Sequence, residues 1–273
     1  MIELEAYGDV IRVLMTTRRT RAFGYSVSVY LTRSVLIDTG FPSVAADVSA
    51  LLEHQRPRGI VLTHHHEDHA GNLPVVARRG LPVATSELTL AAVRQGEIAG
   101  LYRRVVWGNM PPFAAPVDAF VPAGLALLHM PGHSADHHVV WDAEREVLFA
   151  GDLFLGVRVR AARPGEDPRA LARSLRAAAA LRPRELFCAH RGRVPDPVAT
   201  LEAKADWTEA TVAAIDGRIA QGWSDAAISR EVLGREDVVG YITLGDLSRR
   251  NFVRAVRAGG RPPGAASGGS PAA

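Results

Sequence analysis

The stretch Gly59-Ile60-Val61-Leu62-Thr63-His64-His65-His66-Glu67-Asp68-His69-Ala70-Gly71-Asn72 decides how the chain is read. Its first four residues form an apolar run of the kind that makes a buried strand. After Asn72, the run Leu73-Pro74-Val75-Val76-Ala77 reads as the start of a helix. Four imidazoles and two carboxylates therefore crowd the mouth of a strand-to-helix turn. Imidazole nitrogen and carboxylate oxygen are the donors that Zn²⁺, Fe²⁺ and Mn²⁺ accept. Residues two apart in extended chain point the same way, so His64, His66 and Asp68 share a side. His65 and Glu67 face the other way, and His69 turns back as the helix begins. An internal position after a core-type strand argues against a solvated loop or a tag-like tract. The zincin motif is excluded, because it needs two histidines four apart around a glutamate on a helix. Here Glu67 is followed directly by Asp68-His69.

Upstream, the spacing predicts strands over 10–14, 26–31 and 34–37, the last ending in Asp38-Thr39-Gly40. A carboxylate at the end of a buried strand needs partners. If that strand lies beside 59–62, Asp38 can orient the histidine loop from behind; a turn or helix-cap role is compatible with this. Arg18-Arg19-Thr20-Arg21 reads as an exposed loop, with a substrate-facing basic loop as the alternative. Residues 43–52 read as an amphipathic helix. Downstream come a strand over 81–85 and a helix over 87–95 with Leu88, Ala91 and Ala92 turned inward. The irregular, aromatic and proline-rich segment 96–122 is a candidate substrate wall. A strand over 125–130 then stops at Pro131-Gly132-His133-Ser134, and a hairpin over 139–150 stops at Gly151-Asp152. Asp167 and Pro168 suit the cap and first position of a helix over 167–181. A last strand over 185–189 stops at His190-Arg191-Gly192. Strands alternate with helices in both halves, so the expected class is α/β, with two mixed sheets covered by helices.

The composition suits one large globular unit with a small appendage, at 273 residues with 47% hydrophobic side chains. The expected division is a catalytic domain over 1–197, a helical carboxy-terminal appendage over 198–258 and a disordered tail over 259–273. A net charge of +3 implies neither a nucleic-acid nor a membrane partner, which leaves a small-molecule substrate as the expectation. Cys188 is the only cysteine, so an intramolecular disulfide and a cysteine-rich zinc site are excluded. No apolar stretch approaches the roughly 20 residues that cross a bilayer. Met1-Ile2-Glu3-Leu4-Glu5 lacks a signal-peptide pattern, so the expected location is cytoplasmic.

His133, Asp152 and His190 repeat one arrangement: an apolar strand that stops at a metal-competent residue. Together with the His-x-His-x-Asp-His run (His64, His66, Asp68, His69), they make the chain resemble the metallo-β-lactamase superfamily of hydrolases over roughly residues 10–192. Asp38-Thr39-Gly40 and Pro131-Gly132-His133-Ser134 also look like that superfamily's recurring segments. The resemblance implies a four-layer αβ/βα sandwich with the site at one edge, between the sheets. It implies two divalent metal ions, zinc foremost, with iron or manganese admitted by the same donors. His64, His66 and His133 would hold one ion, Asp68, His69 and His190 the other, and Asp152 would bridge them. The implied chemistry is glyoxalase-II-like or lactonase-like. A metal-bridging hydroxide, oriented by Asp68 as the catalytic carboxylate, would attack an ester, thioester or lactone.

Two departures bear on the activity. Many antibiotic-degrading members use a cysteine thiolate at the second metal and are exported, whereas here Asp152 takes the ligand role. Arg191 follows His190 where many relatives carry glycine. The rival readings are a mononuclear iron enzyme resembling persulfide dioxygenase and a metal-dependent phosphodiesterase or nuclease. Of the remaining candidates, His129 reads as a strand residue and Cys188 as a small buried one. His137 and His138 would cap or line the entrance, where one could touch substrate. Glu67 would face solvent or make a loop-stabilising pair.

Overall fold

The computed structural model describes residues 1–97 and 99–259. In chain order the strands are β1 (Ile2–Tyr7), β2 (Val10–Met15), β3 (Val27–Thr32), β4 (Val35–Ile37), β5 (Gly59–Val61), β6 (Val83–Ala84), β7 (Ala126–His129), β8 (His138–Asp142), β9 (Val147–Phe149), β10 (Glu185–Cys188) and β11 (Gly192–Val194). The helices are α1 (Arg18–Ala22), α2 (Ala45–Gln55), α3 (Glu67–Ala70), α4 (Leu73–Arg78), α5 (Glu87–Gln95), α6 (Leu101–Val106), α7 (Pro168–Ala180), α8 (Pro197–Ala220), α9 (Asp225–Ile228), α10 (Val238–Ile242) and α11 (Arg249–Arg257). One sheet runs β1-β2-β3-β4-β5-β6 and the other β11-β10-β9-β8-β7.

Both sheets are mixed. In the first, β1 to β4 pair antiparallel while β4, β5 and β6 run parallel. The second pairs β7, β8 and β9 antiparallel and β9 with β10 parallel. The two sheets face each other across Tyr30, Ile37 and Val61 from one side and Val140, Phe149 and Phe187 from the other. The Tyr30 hydroxyl reaches across this layer and donates to the Cys188 carbonyl at 2.7 Å. The first sheet's outer face is covered by α2 and α4, through Val48, Leu51, Leu52, Leu73 and Val76. The second is covered by α7 and α8, through Leu175, Ala178, Leu201 and Ala205. Helix, sheet, sheet, helix is the expected four-layer sandwich.

The carboxy-terminal helices pack around Ile215, Ile228, Leu233, Phe252 and Val253, and α8 lies along α7. A π-helical turn, Ser229–Leu233, continues α9. Among the described residues no helix is long and apolar enough to cross a membrane. The tail expected over 259–273 falls, apart from Gly259, outside the described residues.

Three local readings are corrected, and one strand lies outside the expected set. The basic segment after Thr17 is helix α1, closed by a reciprocal capping box between Thr17 and Thr20. Helix α5 turns Thr89 and Val93 inward and leaves Leu88 55% exposed. The Ser86 side chain accepts from the Thr89 backbone N–H. The buried Thr89 hydroxyl donates to the Asp136 carbonyl at 3.2 Å, a polar tie on the inward face that hydrophobicity alone does not suggest. Ile2 to Tyr7 form the edge strand β1. The segment expected to be irregular holds α6.

Candidate metal centre

The register of the first sheet builds the site from behind. Ile37 pairs with Val61, and the Asp38 backbone N–H donates to the Val61 carbonyl at 2.7 Å. Asp38 therefore ends β4 beside the first residue of the histidine turn. Its Oδ1 accepts from the Thr63 backbone N–H at 2.8 Å, and the Thr63 hydroxyl donates to the same carboxylate. Its Oδ2 lies 2.8 Å from His69 Nδ1. The Thr63 hydroxyl also lies 3.0 Å from His64 Nδ1. With these Nδ1 atoms engaged, the Nε2 atoms of His64 and His69 are left for a different partner.

On the second sheet, His133 is presented by a turn that only glycine makes comfortably. Gly132 has φ +139°, and a Cβ there would lie 2.4 Å from the Leu171 backbone. Asp152 follows β9, and His190 follows β10 with its Nδ1 donating to the Ser26 carbonyl at 2.8 Å.

All seven residues singled out from the sequence meet at one edge of the sandwich, in two groups able to hold a metal ion: His64, His66 and His133, then Asp68, His69, Asp152 and His190. In the first group, His66 Nδ1 lies 2.9 Å from His64 Nε2 and 3.0 Å from His133 Nε2. In the second, His190 Nε2 lies 3.2 Å from Asp68 Oδ2 and 3.3 Å from Asp152 Oδ1. His69 Nε2 is 3.4 Å from Asp152 Oδ1, while Asp152 Oδ2 faces the other group, 3.3 Å from His133 Nε2.

Three polar atoms at this convergence, Asp68 Oδ1, His69 Nε2 and Asp152 Oδ1, are buried without a hydrogen-bond partner. Buried polar atoms are seldom left so. Orphaned acceptors and an orphaned ring nitrogen facing one another are what a divalent cation would satisfy, so the donor set fits a metal.

The electrostatics divide the same way. Burial, helped by neighbouring imidazoles, pushes His64 and His66 well below the usual histidine range, which keeps them neutral. Burial would push His69 and His190 down as well. The carboxylates around them, Asp152 foremost, outweigh it and hold both well above that range. Burial alone would raise Asp68, yet His69 and His190 hold its carboxyl well below the ordinary range. Positive charge is thus strongly favoured beside Asp152, whether a proton or a cation supplies it.

Three of the histidines outside these groups, His65, His137 and His138, brace them. His137 is corrected: it does not line an entrance but is fully buried. Its Nδ1 lies 3.1 Å from the Met130 carbonyl, and its Nε2 accepts from the Asp152 backbone N–H at 3.0 Å. Burial pushes it down to about 3, so it stays neutral as that geometry requires. His138 is also buried, 2.7 Å from the Asp136 carbonyl. Asp136 ties the two metal-competent loops together, accepting from the His65 backbone N–H at 2.9 Å and the Ser134 hydroxyl at 2.7 Å. Burial would lower His65, but Asp136 and Glu97 hold it at about 9. Glu67 makes a pair, though a buried one: Arg103 clasps its carboxylate through Nε and Nη2 and reaches Glu97 through Nη1. His129 is exposed and Cys188 buried.

A cavity of about 440 Å³ opens onto the convergence, lined by Asp68, His133, Asp152 and His190 together with Tyr102, Trp107 and Arg163. Tyr102 and Trp107 come from the segment expected to supply the wall.

A model of the metallo-beta-lactamase superfamily matches residues 22–190, a span holding every residue of both groups. The chain belongs to the metallo-beta-lactamase superfamily. Among curated members, it is 31% identical over 129 residues to the Beta-lactamase-like protein 2 homolog of Caenorhabditis elegans, covering 45% of this chain and 41% of the relative. It is 29% identical over 121 residues to a hydroxyacylglutathione hydrolase of Shewanella sp. (strain ANA-3), covering 43% and 42%. The matched span is thus about half the length, or less, of these curated relatives. A metallo-beta-lactamase family protein from Thermus thermophilus superposes with a TM-score of 0.61 at 20% identity, covering 91% of each chain. The DIM-1 metallo-beta-lactamase exposed to ceftazidime gives 0.58 at 16% identity, covering 77% of this chain and 97% of that one. Likeness at such identity speaks for the metallo-beta-lactamase fold alone.

Proposed function

We propose that this member of the superfamily is a binuclear metal-dependent hydrolase acting on an ester, thioester or lactone of a small-molecule substrate. His64, His66 and His133 would hold one divalent ion, Asp68, His69 and His190 the second, and Asp152 would bridge them, with zinc as the expected metal. The observation that carries this reading is the attitude of Asp152, whose two carboxylate oxygens face the two groups separately. An anionic carboxylate turned both ways suits a pair of dications better than a single ion. When bound, such a pair polarises a substrate oxygen and lowers the pKa of a water.

The chain's own residues supply the rest. Asp68 Oδ1, buried and without a partner, is the atom we assign to orient the attacking water and accept its proton. Asp38, Thr63 and His137 hold the surrounding groups in register, and Tyr102 and Trp107 wall the cavity against water. The hydroxyacylglutathione hydrolase of Shewanella and the "Probable metallo-hydrolase YybB" of Bacillus subtilis, 29% identical over 124 residues, support a hydrolytic reaction. In this reading, residues 1–197 form the catalytic unit and 198–258 a helical appendage braced on α7.

The test is elemental analysis of purified protein, then assays with thioester, lactone, aryl ester, phosphodiester and cephalosporin substrates. Two equivalents of metal, with hydrolysis of an acyl substrate that disappears in His66→Ala, is the expected result. One equivalent of iron with oxygen uptake, or turnover of the phosphodiester alone, would replace this reading.

A further inference from the structure

The cavity over the candidate metal centre carries cationic side chains as well as the ligand residues. Arg158, Arg163 and Arg191 line it, against Glu166 as the only carboxylate besides Asp68 and Asp152 among the described residues of the lining. Glu166 is directed at His133 Nδ1, 3.5 Å away. Arg191 uses its Nε to donate to the Leu155 carbonyl at 3.0 Å.

Arg163 differs from Arg191, which has that partner, and from Arg158, which is exposed. Its Nη1 is buried and has no hydrogen-bond partner among the described residues. Two carboxylates favour its charge, Glu67 and Asp68, but neither makes a hydrogen bond to its Nη1. Glu67 is clasped by Arg103, and Asp68 faces His190. A guanidinium cannot shed its proton at any physiological pH, and a buried donor left unmatched is costly. Arg163 as a residue lines a substrate-sized cavity and is half-buried while one of its donors is unmatched, so its guanidinium is set for a partner that arrives with the substrate. The planar fork of guanidinium donors fits two oxygens of one oxyanion.

We propose that the cavity selects acyl substrates that carry a second oxyanion, a carboxylate or a phosphate, away from the scissile bond, and that Arg163 is the residue that binds it. This deepens the hydrolase reading and relies on it for the identity of the cavity as the substrate site. The metal pair would take the scissile group at the Asp68, Asp152 and His190 side of the cavity. Arg163, on the same lining, would hold the second oxyanion. Tyr102 and Trp107 give the cavity an aromatic wall.

The experiment uses the metal-loaded full chain and matched thioester pairs that differ only in the terminal group. Glutaryl is set against valeryl, and a phosphorylated acyl chain against its free alcohol. Wild type is expected to favour the charged member of at least one pair by about ten-fold or more in kcat/KM, as befits a charge-assisted hydrogen bond. The pair that responds tells carboxylate from phosphate. In Arg163→Ala that ratio falls to about one, and in Arg163→Lys, which keeps the charge but not the fork, part of it returns. The ratio, unlike an absolute rate, does not move when a variant is merely less well folded. Calorimetric titration of glutarate and of inorganic phosphate into wild type and Arg163→Ala provides a readout without turnover. A ratio that stays within about two-fold between wild type and Arg163→Ala overturns the proposal. If no acyl substrate is turned over, the hydrolase reading fails. The anion site then stands on Arg163-dependent binding of one titrant, and falls if both affinities are unchanged.

Discussion

His137 supports the metal centre without lending it a donor atom. Its ring links a carbonyl at the end of one loop, Met130, to the backbone N–H of Asp152 in another. Both contacts need the neutral ring protonated on Nδ1. Replacing it with alanine leaves the Asp152 amide buried and unpaired and frees the loop that carries the bridging candidate. His137→Ala is expected to weaken metal binding about 10- to 100-fold, as losses behind a ligand commonly do; competition with a chromophoric chelator measures it. Asp38 makes a second case. It fixes the ring of His69 and holds the Thr63 hydroxyl that meets His64. Asp38→Asn keeps the volume but removes the charge and one acceptor. We expect a comparable fall in affinity, read by the same competition, with far-ultraviolet dichroism unchanged.

Two structural elements carry the site's precision. The turn after β7 delivers His133, and Gly132 within it sits against the backbone of α7 at a φ that side chains rarely adopt. Gly132→Ala should cost about 3 kcal/mol or more, from strain and overpacking together; denaturant unfolding of the purified variant gives the number. Helix α8 reaches the ligand loop through Lys204, the chain's only lysine, whose ammonium donates to the Leu153 carbonyl at 2.9 Å. It also lies over the Phe154 ring, 5.4 Å from its centroid. Burial pushes Lys204 down to about 8 from an ordinary 10.5. Between those two values the unfolded chain holds the proton and the folded one sheds it, so stability rises with pH across that window. Relative to Lys204→Met, the wild type should gain up to about 3 kcal/mol between pH 8 and 10.5. Parallel curves of unfolding free energy against pH for the two proteins would refute this.

Across the molecule, the residues that could be read in advance are those that interrupt a pattern. His64, His66, Asp68, His69, His133, Asp152 and His190 each follow an apolar run, and a strand end that stops at a donor is visible in one dimension. Asp38 was legible for the same reason, and so were the sandwich and its alternation of strands with helices. Residues whose meaning lies in a distant backbone group left no such mark. His137 answers to a carbonyl and an amide, and Arg103 finds Glu67 thirty-six positions away. Arg163 stands in a stretch with several other arginines, where nothing in the sequence marks the one whose Nη1 is buried without a partner among the described residues. Leu88 misled because the inward face of α5 is held by Thr89, whose hydroxyl meets the Asp136 carbonyl, and not by hydrophobic phase alone.

Folding gathers several ionisable groups into one small volume, so occupancy should be felt by the entire chain. Chelation is expected to lower the melting temperature by about 5–15 °C, with recovery on adding zinc, as for any ligand that binds only the folded state; scanning calorimetry tests it. Each group of candidate ligands draws side chains from both sheets, His64 and His66 against His133, and Asp68 and His69 against Asp152 and His190. At the opposite rim, Arg33 from the β3–β4 turn grips Asp142 at the end of β8 through two contacts of 2.6 and 2.9 Å. The sandwich is therefore fastened at the rear by a permanent clasp, and bound metal would act at the front as a removable rivet. Stripping the ions should let the leaves gape at the mouth alone, so that amide exchange quickens at residues 61–63 and 150–152 while the β3–β4 turn keeps its pace.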